Sequence, residues 1–527
     1  MGPSPDNAVV LIVGAGPTGL MLACQLAMHN ISFRIVDQKE TPSTNSGALI
    51  LQARTLEIFG QMGIAREAIA DGTIADQVNI FSNGKKIAGT SIRDIGGKLS
   101  PYPFLLMLEQ SKTVKLLLNF INKRGFDVER GVRFQSLVQE NEGVITQVIL
   151  PDGSEEQIFT RYLMAADGAR SSVRDFLKIP FEGVTYPQPI FIMDCKAKTD
   201  LPPGEISFAF TRDSIAGFFP LQGSRWRIDG TFPNGMADKV TKTFEEVKKN
   251  FQSRIKMNFT PEVAEWFSVS RSQQKVAATM QVGNVFLAGD AAHVNTPVGA
   301  QGMNTGLQDA FNLGWKLAFV IRKRAKPELL QTYVTERTGI SGKFARYADA
   351  VFQLVTNDSV AIRFLRSGLM RAFFSLIFPW MGKRMIFRQM FFKSISQIMV
   401  NYRNSSLSEK ASTGKFSLGV PRSGDRFPSV EFLNNGRMTN IFEKLDTTNF
   451  SLLVMANAQP YEFKNLAIRY HLTIETIPLL PENKDVYKIL GIRKTGYYLV
   501  RPDMHIALRS ATLDSSHLAG YLERFLT

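Results

Sequence analysis

Val9-Val10-Leu11-Ile12-Val13 runs directly into Gly14-Ala15-Gly16-Pro17-Thr18-Gly19. A short, wholly apolar run predicts a strand buried on both faces, and the glycine spacing behind it predicts a tight turn that opens a helix. Gly14 permits the turn. Gly16 keeps a side chain out of the way of an approaching phosphate, and Gly19 lets helix and strand pack closely. The helix start offers free N–H groups and the positive end of the helix dipole. Thr18 to Asn30 stays apolar at Leu20, Leu22, Ala23, Leu26 and Ala27, and Ile31 to Asp37 reads as the next strand. Asp37 closes that strand, where an acidic side chain binds ribose hydroxyls and its charge opposes a 2′-phosphate.

Far downstream, Val285-Phe286-Leu287-Ala288 enters Gly289-Asp290-Ala291-Ala292-His293. Pro297-Val298-Gly299-Ala300-Gln301-Gly302-Met303-Asn304-Thr305-Gly306 then leads into an apolar helical run from Leu307 to Ile321. Asp290, at a strand end, suits the hydroxyls of a ribityl chain. The amides around Gly302, Met303 and Asn304, at a helix start, suit the pyrimidine edge of a flavin, which gains negative charge on reduction. His293 reads as an ordinary satisfied loop histidine. One glycine-rich nucleotide turn is common, but these two segments in this order predict FAD.

A third motif is Tyr162-Leu163-Met164-Ala165-Ala166-Asp167-Gly168-Ala169-Arg170-Ser171-Ser172-Val173-Arg174. With it the chain resembles the single-component FAD-dependent aromatic hydroxylases of the para-hydroxybenzoate hydroxylase fold, and among them the longer, phenol-hydroxylase-like branch. Further matches are Arg54-Thr55-Leu56-Glu57, Gln110 at a strand end, Phe219-Pro220-Leu221, Trp226-Arg227-Ile228, and Arg501-Pro502-Asp503 through Arg509. The resemblance implies cofactor contacts from Gly14, Gly16, Pro17, Thr18, Gly19, Asp37, Arg54, Gln110, Asp167, Gly289, Asp290, Pro297, Gly302, Met303 and Asn304. It implies that NAD(P)H reduces FAD and that O2 then forms a flavin C4a-hydroperoxide. One oxygen atom passes to an aromatic or polyketide-like substrate and the other leaves as water. A non-oxygenating FAD oxidoreductase and a catalytically silent flavin-binding accessory protein are the competing readings.

Two departures from that family stand out. Where relatives often carry an arginine, this chain has Gly47. Where phenol hydroxylases carry an acid near the flavin, it has Leu49, followed by Ile50 and Leu51. A bulkier, more apolar substrate than simple phenol is therefore expected, and no general acid or base is assigned.

The expected architecture is α/β and α+β. A Rossmann-like FAD domain (7–178 and 276–402) carries an inserted mixed β-sheet substrate domain (179–275). A linker (403–436) leads to a thioredoxin-like α/β domain (437–527). In the middle sheet Phe191, Phe208, Phe210, Phe218 and Phe219 are candidate pocket walls. The chain has 527 residues, 44% hydrophobic and 21% charged, which suits a large globular protein of several domains. Its two cysteines, Cys24 and Cys195, exclude a disulfide framework or a cysteine metal cluster and fit a reducing cytoplasm. The net charge of +15 is scattered and carries no nucleic-acid motif; attraction for NAD(P)H accounts for it. The apolar and basic segment 367–402 is too short in its apolar runs to span a bilayer. Core helix, subunit contact and membrane-surface helix remain open for it, as does a homodimer.

Overall fold

A computed structural model describes residues 8–43, 47–211, 214–232, 243–296, 301–339, 380 and 384–527. The nucleotide domain is built on a six-stranded sheet. Its order is Gln281–Val282, Val285–Leu287, Tyr162–Ala165, Val10–Val13, Phe33–Asp37 and Glu129–Arg130. Val10–Val13 lies at its centre, paired in parallel with Tyr162–Ala165 on one side and with Phe33–Val36 on the other. All four of its residues are buried, as a strand covered on both faces requires. Pro17 starts the following helix, Pro17–Met28, where its missing N–H costs nothing.

Helix Gly302–Ile321 packs against Pro17–Met28 at close range. A Cβ on Gly314 would lie 2.5 Å from that of Gln25, so the two backbones approach as only glycine allows. This helix begins earlier than the apolar run from Leu307 suggests, because Gly302 to Gly306 already coil.

The second large sheet has eight strands. Five lie in the middle region: Phe259–Ala277, Phe181–Thr199, Arg225–Thr231, Ile215–Pro220 and Glu205–Phe210. Gln77–Ser82 and Lys85–Ser91 extend it at one edge and His293–Val294 at the other, so the sheet reaches beyond 179–275. One face packs on helix Phe244–Ile255 through Val247, Phe251 and Ile255, with Phe191, Phe218, Trp226 and Ile228. The opposite face, carrying Ile206, Phe208 and Phe219, packs with Leu49, Ile50 and Met107 of the nucleotide domain.

The C-terminal domain runs β-α-β-α-β-β-α. Its sheet order is Thr473–Ile477, Ser451–Met455, Gly496–Val500, Ile506–Ser510, with the first pair parallel and the rest antiparallel. That is the thioredoxin arrangement. Both cysteines lie elsewhere and are buried, so the domain carries no thiol chemistry. Among the described residues no helix is long and apolar enough to cross a membrane. Of segment 367–402, Trp380 and 384–402 are described. Helix Met385–Ile395 exposes Met385, Ile386, Met390 and Phe391 and buries Phe392.

A buried polar network ties this domain to helix Gly302–Ile321. Glu336 takes Lys316 at 2.7 Å, Arg501 at 2.6 Å, and donors from Asn312 and Ser405 at 2.7 and 2.6 Å. Asp503 takes Arg501, with Trp315 Nε1 and Asn312 Nδ2 both at 3.2 Å. Burial alone would raise the Glu336 carboxyl, but Arg501 and Lys316 reverse this and hold it at about 2. The carboxyl therefore ionises at lower pH when folded than when unfolded. Its stabilisation is complete above about pH 4.5 and is lost as the pH falls toward 2. Glu336→Ala, which strands Lys316 and Arg501, is expected to lower the unfolding free energy by about 3–5 kcal/mol. Urea titrations at pH 7 and pH 3.5 check both statements: the variant's deficit should shrink at the lower pH.

Candidate functional site

The glycine turn after Val13 has the geometry its spacing predicts. Gly14 adopts φ +103°, and a Cβ there would meet the carbonyl of Ala166 at 2.4 Å. A Cβ on Gly19 would lie 1.9 Å from the Gly14 oxygen. Gly16 differs: it is extended, and a Cβ would project into space free of described atoms for 4 Å. That open space is a cleft of about 190 Å³ lined by Gly14, Gly16, Pro17, Asp37, Gln110 and Asp167, among others. Its volume is below that of a typical whole-ligand pocket and suits part of a dinucleotide.

Asp37 Oδ2 accepts the Ala15 N–H at 2.8 Å, which locks the turn to the end of the second strand. Arg130 stands 3.7 Å from the same carboxylate. Gln110 is the first residue of helix Gln110–Asn122 and not a strand end; its Oε1 accepts the Ala48 N–H at 3.0 Å beside Gly47. Asp167 accepts the Val173 N–H at 3.3 Å through Oδ2, and burial raises its carboxyl above the usual range. Its Oδ1, and Nη2 of Arg130, are buried at this cleft with no hydrogen-bond partner among the described residues. One acceptor and one donor left open beside bare backbone amides suit ribose hydroxyls and a pyrophosphate. Composition alone gave Arg130 no emphasis; it lies in the strand Glu129–Arg130, level with Asp37.

The second motif meets the first through Thr18. A Cβ on Gly289 or on Gly306 would lie 2.4 Å from Thr18 Oγ1, so both glycines make room for one side chain. Asp309 fixes the Gly289–His293 turn: its Oδ2 accepts the Gly289 N–H at 3.0 Å and pairs with His293 Nε2 at 2.6 Å. Arg337 holds the other Asp309 oxygen at 2.6 Å. Burial opposes ionisation of Asp309, yet Arg337 and His293 keep its carboxyl below the usual range. His293 is thus a scaffold residue on its Nε2 side, while its Nδ1 has no partner among the described residues. Asp309, an acid inside an apolar helix, was the sequence signal for this clamp. Asp290 points outward with its side chain solvent-exposed, and the protein around it raises its carboxyl. Arg174 is used within the fold: it bonds the carbonyls of Ala169 and Ala291, both at 3.1 Å, and stacks on Phe181.

Among the described residues the first ladder bond of helix Gly302–Ile321 runs from Thr305 N to Gln301 O, which puts the amides of Gly302 and Met303 in its first turn. A Cβ on Gly302 would meet no described atom within 4 Å. The Asn304 side chain is directed inward. Its Nδ2 donates to Ile50 O at 2.8 Å and its Oδ1 accepts from Gln52 N and Thr55 Oγ1. Arg54 is likewise not brought to the cleft. It is fully buried, bonds Asp503 O at 2.7 Å and pairs with Glu57. Sequence position could not reveal that the C-terminal domain supplies Asp503 to Arg54. Pro297 lies outside the described residues.

A crevice of glycine backbone, one strand-end acid and a second Gly-Asp turn define a flavin-dinucleotide protein. The FAD-binding-domain family matches residues 7–348. The chain belongs to that family and to its FAD-dependent aromatic hydroxylases. It is 30% identical to 6-methylpretetramide 4-monooxygenase of Streptomyces rimosus, over 99% of this chain and 94% of the relative. It is also 30% identical to pentachlorophenol 4-monooxygenase of Sphingobium chlorophenolicum, over 86% of this chain and 80% of that one. The flavin-dependent monooxygenase PieE, solved with FAD and substrate, superposes with a TM-score of 0.83 at 23% identity, covering 99% and 98% of the two chains. At that identity the likeness speaks for the fold.

Gly16 and Gly19 separate binding from folding. Gly16→Val is expected to fold normally and to bind FAD at least tenfold more weakly, because its methyls enter the cleft. Gly19→Ala is expected to lose about 1–3 kcal/mol of stability through the clash with Gly14. Quenching of FAD fluorescence and thermal melts of the FAD-free proteins read the two effects apart.

Proposed function

We propose that the protein is an NAD(P)H- and O2-dependent monooxygenase that hydroxylates an aromatic or polyketide-like compound. The observation that carries this is the pairing of a cleft suited to FAD with an apolar layer, Leu49, Ile50, Met107, Phe208 and Phe219, between nucleotide domain and sheet. Bound FAD supplies the electron store and the activation of O2. In this reading Gly14, Gly16, Pro17, Thr18 and Gly19 admit the pyrophosphate to the helix start. Asp37 and Asp167 hold sugar hydroxyls, with Gln110 at the rim. Asp290, presented by Gly289, faces the ribityl chain, and the amides of Gly302 and Met303 face the pyrimidine edge. The apolar layer seats the substrate and excludes water from the reacting centre. The relatives' named substrates, a pretetramide and a chlorinated phenol, support this substrate class. A reducing cytoplasm is the proposed location. A surface contact through the exposed apolar side chains of Met385–Ile395 belongs to the same proposal.

The test uses the purified yellow protein under labelled dioxygen with NADH or NADPH and a panel of phenols and hydroxyquinones. Expected are faster NAD(P)H oxidation with one panel member and a product carrying one labelled oxygen atom. A flavin that stays oxidised under both nicotinamides, or a product without label, would overturn the reading.

A further inference from the structure

One carboxyl on the substrate-facing sheet has no role in the scheme above. Asp229 lies in strand Arg225–Thr231, level with Gly217 on one neighbouring strand and Ile192 on the other. Phe208 lies level with Gly217 on the next strand. Residues directly opposite in antiparallel strands point to the same face. Asp229 therefore shares the face of Phe208 and Phe219, which packs toward Leu49, Ile50 and Met107, and not the face covered by helix Phe244–Ile255. Gly217 beside it has no side chain, and the rings of Phe219 and Phe208 lean over the vacant position.

Neither oxygen of Asp229 makes a hydrogen bond among the described residues, and Oδ1 is fully enclosed. The charged groups about it are Arg227 on its own strand and Asp194 on the adjacent one. Arg227 bonds both oxygens of Asp194 at 2.7 Å, with Trp266 beside the guanidinium, and makes no hydrogen bond to Asp229 among the described residues. From the nucleotide domain, Leu49, Ile50 and Met107 pack on this face. A half-buried acid with no hydrogen-bond partner among the described residues is costly, and its expected partner is a ligand donor.

We propose that Asp229 is a catalytic residue that accepts a hydrogen bond from a ring hydroxyl of the substrate and draws off its proton. The proposal rests on the monooxygenase reading and deepens it. In the step, the substrate's O–H bond breaks as an O–H bond forms on the carboxylate. The electron pair stays on the substrate oxygen and enriches the ring for attack by an electrophilic oxygen, and no group is oxidised or reduced. Burial, opposed by Arg227 and reinforced by Asp194, raises the Asp229 carboxyl to about 6. An ordinary phenol ionises near 10, so full transfer from it is unfavourable by roughly four powers of ten. A hydroxyl conjugated to a ring carbonyl is far more acidic. The site therefore selects hydroxyquinone-type or enolised polyketide rings over plain phenols, the same preference that Leu49 suggests on steric and polarity grounds.

The test is a binding measurement on the oxidised FAD-bound protein, which needs neither NAD(P)H nor O2. The probes are 2-hydroxyanthraquinone and 2-methoxyanthraquinone, whose absorption bands report binding and, for the first, ionisation. Ionised Asp229 accepts the hydroxyl's hydrogen bond with charge assistance, whereas protonated Asp229 offers only a neutral, weaker acceptor. The hydroxy probe should therefore bind about tenfold more tightly at pH 7 than at pH 5, while the methoxy probe stays flat. Asp229→Asn should abolish that step, and Asp229→Glu should keep it. Equal pH slopes for the two probes on the unaltered protein, or a step that survives in Asp229→Asn, would overturn the proposal. The two-probe comparison decides even where Asp229→Asn does not fold. A protein that shows the step yet never oxidises NAD(P)H would sink the monooxygenase reading and leave the Asp229 contact standing.

Discussion

The seat of Thr18 between Gly289 and Gly306 is the contact on which the rest of the architecture depends. Both glycines approach Thr18 Oγ1 so closely that any side chain on either would collide with it. The contact brings the second motif against the first, although most of the chain lies between them. It also sets helix Gly302–Ile321 beside Pro17–Met28, an approach repeated one face along at Gly314 against Gln25. Small residues on facing surfaces fix interaxial distance more tightly than large ones, because no rotamer change can absorb an error. The nucleotide crevice is thus shaped by backbone, and its side chains only finish it.

From that shared helix the fold is braced outward. Asp309 faces the Gly289 turn, while Asn312, Trp315 and Lys316 face the C-terminal domain. Glu336 and Asp503 gather cations and neutral donors at a junction closed to water. A thioredoxin-like domain without its thiols still covers charges that would otherwise be uncompensated. Such a network is weak evidence for net stability, but it is strict about partners. A misdocked domain would leave several buried charges unpaired at once.

How much of this was legible in the sequence follows the range of the interactions. The strand Val10–Val13, its turn, the helix behind it and Asp37 depend on neighbours a few residues apart, and the reading places them closely. The strands around Phe208 and Trp226 alternate locally and were equally readable. Arg54 and Asn304 were expected at the cofactor because their positions match a family pattern. Their side chains answer to Asp503 and to Ile50, partners set only by tertiary docking. The annexation of Gln77–Ser82 and Lys85–Ser91 by the middle sheet is another long-range choice that no window of sequence contains. Asp229 was invisible for the same reason: its environment is a row of residues from four strands.

The carboxyls themselves distinguish scaffold from site. Glu336, Asp503 and Asp309 each have both oxygens bonded, and Asp194 is matched by a single guanidinium. These acids are complete within the protein and need nothing added. Among the described residues Asp167 keeps one oxygen unpaired at the cleft, Asp290 stands outward from a clamped turn, and Asp229 has no hydrogen-bond partner on its face of the sheet. The carboxyls of Asp167 and Asp229 are raised above the ordinary range, with burial as the first cause, whereas those of Glu336, Asp503 and Asp309 are lowered by the cations they hold. A fold that satisfies these structural acids so fully has no structural need of an enclosed, unbonded oxygen on Asp167 and on Asp229. Asp167 lines the glycine cleft and Asp229 lies on the sheet face that carries Phe208 and Phe219, so an open acceptor stands in each of the two regions where a ligand is proposed.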